Sequence, residues 1–200
     1  MSEHDSTTGS GGDWILTFTG RRFYPMAPKA EDVDIIDIAH ALSMLCRYAG
    51  HSKFFYSVGE HSLWVSHAVP AEHAFFGLMH DAAEAYVCDL PRPLKYALPE
   101  YRAAETRVWA AIVEKFGLPL ETPPEVKLVD SRMLLTERPV LFDNPQPWPQ
   151  YAHLTPIDRK IVCAPPHVVF DSFMRRFHGL TGGKYATEEA PRIITPGTIH

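Results

Sequence analysis

The pattern of apolar and polar positions predicts helices along most of the chain. The first convincing stripe has apolar residues at three- and four-residue steps, which is the period of one helix face. It consists of Ile35, Ile38, Ala39, Leu42, Leu45, Cys46 and Ala49. Gly50 follows as a natural terminator. Ahead of this stripe, the loosely alternating segment 14–19, a turn at Gly20 and the continuation at Phe23 predict a short N-terminal β-hairpin.

Further stripes predict more helices, separated by proline-rich connections. A second helix is expected to end at Pro70, and residues 71–87 are expected to form one central helix. Residues 88–95 are predicted to form a loop, because two prolines oppose a continuing helix. The later helices are predicted to start where a proline fits the first turn, at Pro99, Pro123-Pro124 and Pro165-Pro166. Residues 144–156, rich in proline and aromatics, are expected to form a long loop or lid.

Together these elements predict a mainly α protein, a compact bundle of six or so helices with a short N-terminal β-hairpin. The 200 residues, 46% of them hydrophobic, suffice for one domain with a real core. We expect that domain to span residues 13–180. The Ser/Thr/Gly-rich segment 1–12 is predicted to be disordered, and residues 181–200 are predicted to form a poorly packed tail.

Charge and cysteine content narrow the class of function. The net charge of −5 and a pI near 6.1 argue against binding a nucleic acid polymer, while a small anionic substrate remains compatible. The three cysteines, Cys46, Cys88 and Cys163, have no zinc-ligand spacing and are expected to be free thiols in a reducing compartment. No apolar run has the length of a membrane span, and no signal pattern opens the chain. We therefore predict a cytoplasmic protein without a membrane partner.

The candidate chemistry lies where polar residues interrupt apolar helices. His80, Asp81 and Glu84 occupy the middle of the predicted central helix, with Glu84 one turn beyond the other two. His61 and Asp130 are similarly placed in other helices. A buried carboxylate needs a partner or a metal, and two imidazoles with two carboxylates suit Mn, Fe, Co, Ni or Zn. The alternative is that both histidines are hydrogen-bonded core residues and Asp130 is a cap or salt-bridge partner.

Four motifs in order resemble the HD-domain phosphohydrolase superfamily, and most closely its bacterial 5′-deoxynucleotidase branch. They are Gly59-Glu60-His61-Ser62, then His80-Asp81-Ala82-Ala83-Glu84, then Asp89-Leu90-Pro91-Arg92-Pro93-Leu94-Lys95, and then Lys127-Leu128-Val129-Asp130. The resemblance covers roughly residues 35–138, and the chain from Leu141 onward is outside it. A lone His-Asp pair is weak evidence, since His4-Asp5 also occurs in the chain.

The resemblance implies an HD-domain helical bundle holding one divalent metal ion, whose identity among Co, Mn, Fe, Ni, Zn and Mg stays open. The ligands it implies are His61, His80, Asp81 and Asp130. By the same resemblance Glu84 is the catalytic acid/base, and Asp81 is counted with it among the catalytic residues. The resemblance also assigns Asp89 to sugar recognition and suggests a homodimer.

Phosphate binding is less determined, because the sequence before the Glu-His-Ser motif differs from the family pattern. Arg47, placed on the first helix, is our candidate for the phosphate contact, and His51 and Lys53 are its rivals. Lys95 and Arg92 are each either phosphate contacts or solvated residues.

The functional hypothesis is a metal-dependent phosphohydrolase that cleaves phosphate from nucleotides, preferably 2′-deoxyribonucleoside 5′-monophosphates. A deoxynucleoside triphosphate hydrolase is the enzymatic alternative, because the metal motifs do not encode how many phosphates fit. A non-catalytic nucleotide-binding module is the alternative of another class. In every case the expected partner is a small-molecule nucleotide.

Overall fold

The protein is mainly helical in the computed structural model, which describes residues 13–185. Segment 1–12 and residues 186–200 of the predicted tail lie outside the described residues. The α-helices are α1 (Ile35–Met44), α2 (Val58–Ala68), α3 (Ala74–Met79), α4 (Glu84–Val87), α5 (Arg92–Ala97), α6 (Pro99–Phe116), α7 (Pro124–Leu141) and α8 (Pro166–Thr181). Short 3-10 turns occupy Ala30–Asp32, Arg47–Gly50, Ala71–His73 and Pro149–Tyr151.

The predicted N-terminal hairpin is confirmed. Strands β1 (Ile15–Leu16) and β2 (Arg22–Phe23) pair antiparallel, with Ile15 opposite Phe23. Phe23 is fully buried and stacks on Tyr86, with ring centroids 3.8 Å apart. The hairpin therefore covers one side of the helical core.

Local chemistry sets the helix ends much as predicted. The side chain of Asp34 accepts a hydrogen bond from the Ile36 amide, and that of Ser57 accepts one from the Glu60 amide, so each caps its helix. Proline occupies the first turn of α6, α7 and α8. Gly117 ends α6 in the left-handed conformation, with φ of 69°.

Helix α2 lies at the centre of the bundle and contacts α1, α3, α7 and α8. Two glycines allow this close packing. A Cβ atom at Gly59 would lie 2.9 Å from Val169 Cγ1 and 3.2 Å from the Leu42 carbonyl, and one at Gly77 would lie 3.2 Å from Ser66 Cα. A side chain that projects from the middle of α2 is consequently buried among several helices.

The predicted continuous helix over residues 71–87 is wrong, because the structure divides it. Helix α3 ends at Met79 and α4 begins at Glu84. The His80 side chain donates from Nδ1 to the Gly77 carbonyl over 2.8 Å, a local bond of the kind that competes with helical bonding. The bonds that follow run to the third residue back, from the amide of Ala82 to Met79 and from that of Glu84 to Asp81. The divided segment carries the His-Asp pair at its tightened turn.

Two further boundaries differ from the prediction. The first helix ends at Met44 rather than near Gly50, so Arg47 lies in the following 3-10 turn and not on α1. Residues 92–95 of the predicted loop 88–95 are helical instead, because they belong to the short helix α5 at residues 92–97. Pro93 falls within its first turn, where a missing amide hydrogen is tolerated.

The C-terminal side of the bundle extends further than the predicted boundary at residue 180. The Tyr185 hydroxyl donates to the Phe116 carbonyl over 3.1 Å, and its ring packs against Phe116 and Phe177. Across residues 13–185, none of the helices combines the length and apolar character that a membrane crossing requires.

Candidate metal centre

Three side chains from different parts of the bundle meet in one place. His61 projects from the middle of α2, His80 from the turn after α3, and Asp130 from α7. One ligand atom from each lies within 4.8 Å of the others, so the group could hold a metal ion. His61 is fully buried. The convergence that the sequence spacing left open is therefore present.

Asp81 lies against this group without belonging to the three-residue set. Its Oδ2 atom is 3.3 Å from His80 Nε2 and 3.8 Å from His61 Nε2. His61 Nε2 is also 3.1 Å from Asp130 Oδ1. The four predicted ligands are thus neighbours, and Asp81 lies against the three-residue set.

Hydrogen bonds hold both imidazoles with Nε2 facing the group. His61 Nδ1 donates to Glu137 Oε1 over 2.6 Å, and His80 Nδ1 donates to the Gly77 carbonyl. Since an ionised carboxylate and a carbonyl can only accept, the proton belongs on Nδ1 in each ring. Both Nε2 atoms are buried and have no hydrogen-bond partner among residues 13–185, which is costly unless another ligand uses them. Two oriented Nε2 atoms beside carboxylates are a donor set that fits a divalent transition metal.

The electrostatic environment favours positive charge at this point. Burial and the nearby Arg47 both lower the pKa of His61, but Glu137 and Asp130 outweigh them and raise that pKa from 6.5 to about 9. For Asp130, burial raises the pKa, yet the close approach and charge of His61, 3.1 Å away, hold that pKa well below its usual range. The carboxylate that would face a cation therefore stays ionised at neutral pH.

Arg47 lies beside the group, in the 3-10 turn after α1 rather than on the first helix. Its Nη1 atom lies 3.5 Å from Asp81 Oδ2 and its Nε atom 3.5 Å from Glu137 Oε2. The next two residues, Tyr48 and Ala49, have φ of 57° and 51°, a left-handed conformation that non-glycine residues adopt at a cost. The Arg47 guanidinium, just before this turn, is buried between two carboxylates.

Glu84 lies at the edge of the group with one free oxygen. Its Oε1 is 3.4 Å from Lys95 Nζ, and its Oε2 is buried and has no hydrogen-bond partner within residues 13–185. Burial, followed by the charges of Asp81 and Asp89, raises the pKa of Glu84 well above 4.5. A carboxyl whose pKa is raised holds a proton more readily than a solvated one, which suits an acid/base residue.

Lys95 is paired rather than solvated. Its Nζ is 2.7 Å from Glu105 Oε1 on α6 in addition to its contact with Glu84. Burial lowers its pKa, but the bond to Glu105 and the charge of Glu84 raise that pKa above its usual value. Lys95 thus ties Glu84 to α6.

Asp89 is half-buried next to the group and makes no side-chain hydrogen bond or ion pair with any residue from 13 to 185. Burial raises its pKa, and Arg47 and Asp81 act on it in opposite directions. It is therefore not a backbone cap within the described chain, and its carboxylate is free for another partner.

The rival phosphate contacts lie elsewhere. His51 is exposed outside the group. Lys53 pairs with Asp143 over 2.9 Å, and the Arg92 guanidinium donates to the Tyr151 hydroxyl. A substrate contact by His51 stays a prediction, and the geometry favours Arg47.

Sequence reasoning missed the buried polar residues behind the ligands. Glu137 is fully buried and accepts hydrogen bonds from Tyr48, Tyr56 and His61. One signal was available: Glu137 is seven residues after Asp130 and four after Met133, so it shares their helix face. The two tyrosines gave no comparable signal, because their turn and loop have no periodic pattern.

Comparison with known proteins finds similar bacterial chains. The chain is 44% identical over 171 residues to the uncharacterized protein YfdR of Escherichia coli (strain K12), a match that covers 84% of this chain and 96% of YfdR. It is 34% identical over 124 residues to an uncharacterized protein of Rhodobacter capsulatus, covering 57% of this chain and 63% of that protein. No family model matches the chain. The names of these relatives state no activity, so the function must be argued from the site.

Proposed function

The chain belongs to the family of the uncharacterized protein YfdR, and we propose from its site that it is a metal-dependent phosphohydrolase acting on nucleotides, preferably 2′-deoxyribonucleoside 5′-monophosphates. The observation that carries the proposal is the convergence of His61, His80 and Asp130, whose two buried Nε2 atoms have no hydrogen-bond partner in the described part of the chain. The order of motifs in the sequence, which resembles HD-domain phosphohydrolases, supplies the reaction class. We expect the protein to act in the cytoplasm, as its sequence predicts.

The residues that would hold the ion are His61, His80 and Asp130, with Asp81 as the fourth ligand. When bound, a divalent ion supplies Lewis-acid stabilisation of phosphoryl charge and lowers the pKa of water at the site. Co, Mn, Fe, Ni and Zn all accept this mixture of imidazole and carboxylate, and Mg remains compatible with the carboxylates.

Glu84 is positioned to move a proton. Its Oε2 is buried and has no hydrogen-bond partner among the described residues, while Lys95 lies 3.4 Å from Oε1. A raised pKa leaves this carboxyl able to take a proton from water and later return one to the leaving oxygen. In this scheme Asp81 helps to hold the ion and Glu84 performs the proton transfer.

Arg47 would bind the phosphate. Its guanidinium bridges Asp81 and Glu137 at 3.5 Å, which is long for a hydrogen bond and leaves donors available for a phosphate oxygen. Burial of the guanidinium strengthens such a contact, because less water competes for it.

The charge balance supports a monophosphate over the alternative triphosphate. The two basic residues in contact with the group, Arg47 and Lys95, are each already paired with two carboxylates. A triphosphate carries more negative charge and would need further cations near Asp81, Glu84 and Asp89. One metal ion and one shared arginine match the charge of a single phosphate better.

Product analysis tests the proposal. Purified protein is incubated with a panel of deoxyribo- and ribonucleoside mono- and triphosphates, with Co, Mn, Mg and Zn each supplied separately. We expect the protein to release orthophosphate from deoxyribonucleoside monophosphates when at least one of these metals is supplied. We expect Asp130→Asn to abolish both turnover and tightly bound metal, because it removes a ligand charge while keeping the side-chain shape.

Each other outcome has a distinct meaning. Release of pyrophosphate or triphosphate from deoxynucleoside triphosphates would replace the monophosphate proposal with the triphosphohydrolase alternative. Nucleotide binding without turnover in any metal would favour the non-catalytic module. Full metal content in Asp130→Asn would refute the assignment of the ligands.

A further inference from the structure

Glu137 is the most enclosed charged residue at the site. It is 0% exposed, and four groups surround its two oxygens. Oε1 accepts from His61 Nδ1 at 2.6 Å and from the Tyr56 hydroxyl at 3.0 Å. Oε2 accepts from the Tyr48 hydroxyl at 2.5 Å and lies 3.5 Å from Arg47 Nε. Every contact is made to a donor, which is the arrangement that an ionised carboxylate needs when it is buried.

A buried charged cluster of this kind is not an efficient way to stabilise a fold. Desolvating a carboxylate and a guanidinium costs several kcal/mol, and well-packed apolar residues of similar volume often serve a fold equally well. The donors also come from distant parts of the chain, since Tyr48, Tyr56 and His61 lie 76 to 89 residues before Glu137. An arrangement this costly is explained if it fixes groups that must be held in position.

Two of the groups that Glu137 holds point directly at the metal centre. By accepting from His61 Nδ1, it keeps the proton on that nitrogen and leaves Nε2 free to bind a cation. By contacting Arg47 Nε, it holds the guanidinium while Nη1 extends to Asp81. Asp130 lies two turns earlier on α7, so one helix supplies both a ligand and the residue behind another ligand.

We propose that Glu137 is a positioning residue that fixes the metal-binding tautomer of His61 and the inward position of Arg47 through one buried carboxylate. This inference rests on the metal site of the proposed function. It assigns Glu137 no contact with substrate or metal. The hydroxyls of Tyr48 and Tyr56 hold the carboxylate in turn, so that its two oxygens face His61 and Arg47 respectively.

Glu137→Gln tests the role because the amide keeps the size of the side chain but offers one acceptor and one donor. If the amide oxygen faces His61, the NH₂ group meets the Arg47 side, where another donor is unfavourable. If the NH₂ group faces His61 instead, Nδ1 must accept and the proton moves to Nε2, where it blocks the metal. Either orientation disturbs one of the two groups.

The experiment measures Co(II) binding to the full chain by competition with a chelator, together with the Co(II) absorption spectrum and the melting temperature of the metal-free protein. We expect Glu137→Gln to weaken Co(II) affinity about 10- to 100-fold, the usual effect of losing such a partner, and to alter the spectrum. Glu60→Gln is the matched control. Glu60 is also a buried glutamate, but its carboxylate accepts from the backbone amides of residues 162–164. The control should lower the melting temperature and leave Co(II) affinity and spectrum unchanged.

Unchanged Co(II) affinity and spectrum in Glu137→Gln would overturn the inference, as would equal losses of affinity in both variants. A second measurement needs no variant: the ¹⁵N shifts of His61 in the wild-type protein loaded with Zn(II) should show a protonated Nδ1. A protonated Nε2 there would also overturn it. Metal binding without nucleotide hydrolysis in the wild-type protein would defeat the proposed function while leaving this inference standing, and a wild-type protein that binds no metal would defeat both.

Discussion

Replacing Glu84 by glutamine should separate activity from stability. The variant keeps the size of a side chain that is only 6% exposed, but it removes the carboxyl that we propose transfers the proton. General acid–base catalysis contributes about 10²- to 10⁴-fold to a rate. Each tenfold loss of rate corresponds to about 1.36 kcal/mol of activation free energy, so the expected rise in the activation barrier is roughly 2.7–5.4 kcal/mol.

The same substitution should stabilise the folded protein at neutral pH. The pKa of Glu84 is raised above 4.5 by burial and by Asp81 and Asp89, so between 4.5 and that raised pKa the folded state binds more protons than the unfolded state. Stability that depends on this carboxyl therefore falls as the pH rises through that window. Glutamine carries no charge to desolvate, and only one ion pair of 3.4 Å, with Lys95, is lost in exchange.

The assay measures turnover, metal content and melting temperature of Glu84→Gln across about pH 5 to pH 8. We expect a large loss of turnover, retained metal, and a melting temperature that exceeds that of the wild type increasingly as the pH rises. Glu105→Gln is the matched control, because Glu105 also contacts Lys95 but lies outside the metal centre. It should change turnover less than tenfold.

Two results would contradict this reasoning. Turnover of Glu84→Gln close to that of the wild type would assign the proton transfer to another group. Loss of the metal from Glu84→Gln would make Glu84 a ligand, and our division of roles would then be wrong.

Two further predictions concern the packing of α2 and the role proposed for Asp89 in sugar recognition. Gly59→Ala should destabilise the protein by about 1 kcal/mol, since overpacking costs about 1–3 kcal/mol against a helix-propensity gain of up to about 1 kcal/mol. Gly179→Ala, where nothing lies within 4 Å of the added Cβ, should raise the melting temperature, and equal shifts in both variants would refute the packing argument. Asp89→Ala should change the ratio of kcat/KM values for deoxyribo- and ribonucleotides while leaving the melting temperature nearly unchanged, because its side chain makes no hydrogen bond within residues 13–185. An unchanged ratio would remove Asp89 from sugar recognition.

The sequence by itself determined features that depend on neighbours within a few residues. Helices begin at Pro99, Pro124 and Pro166 because proline suits the first helical turn wherever the chain goes next. The candidate ligands were visible because His61 and Asp130 interrupt apolar helix faces, and such interruptions can be read without knowing the packing. The mainly helical fold and the N-terminal hairpin followed from the same local periodicity.

Tertiary structure decided everything that depends on groups far apart in the chain. The bond from His61 to Glu137 joins residues 76 positions apart, and no local pattern fixes such a separation. Lys95 proved to be paired because α6 brings Glu105 against it, whereas its loop alone suggested either solvent or phosphate. The helix predicted over residues 71–87 is divided at His80, whose side chain donates a hydrogen bond to the Gly77 carbonyl. Local propensity favours a helix there, but helix propensity contributes less than about 1 kcal/mol per residue. Leaving a buried polar group without a hydrogen bond costs about 1–3 kcal/mol, so the packed site determines the backbone conformation.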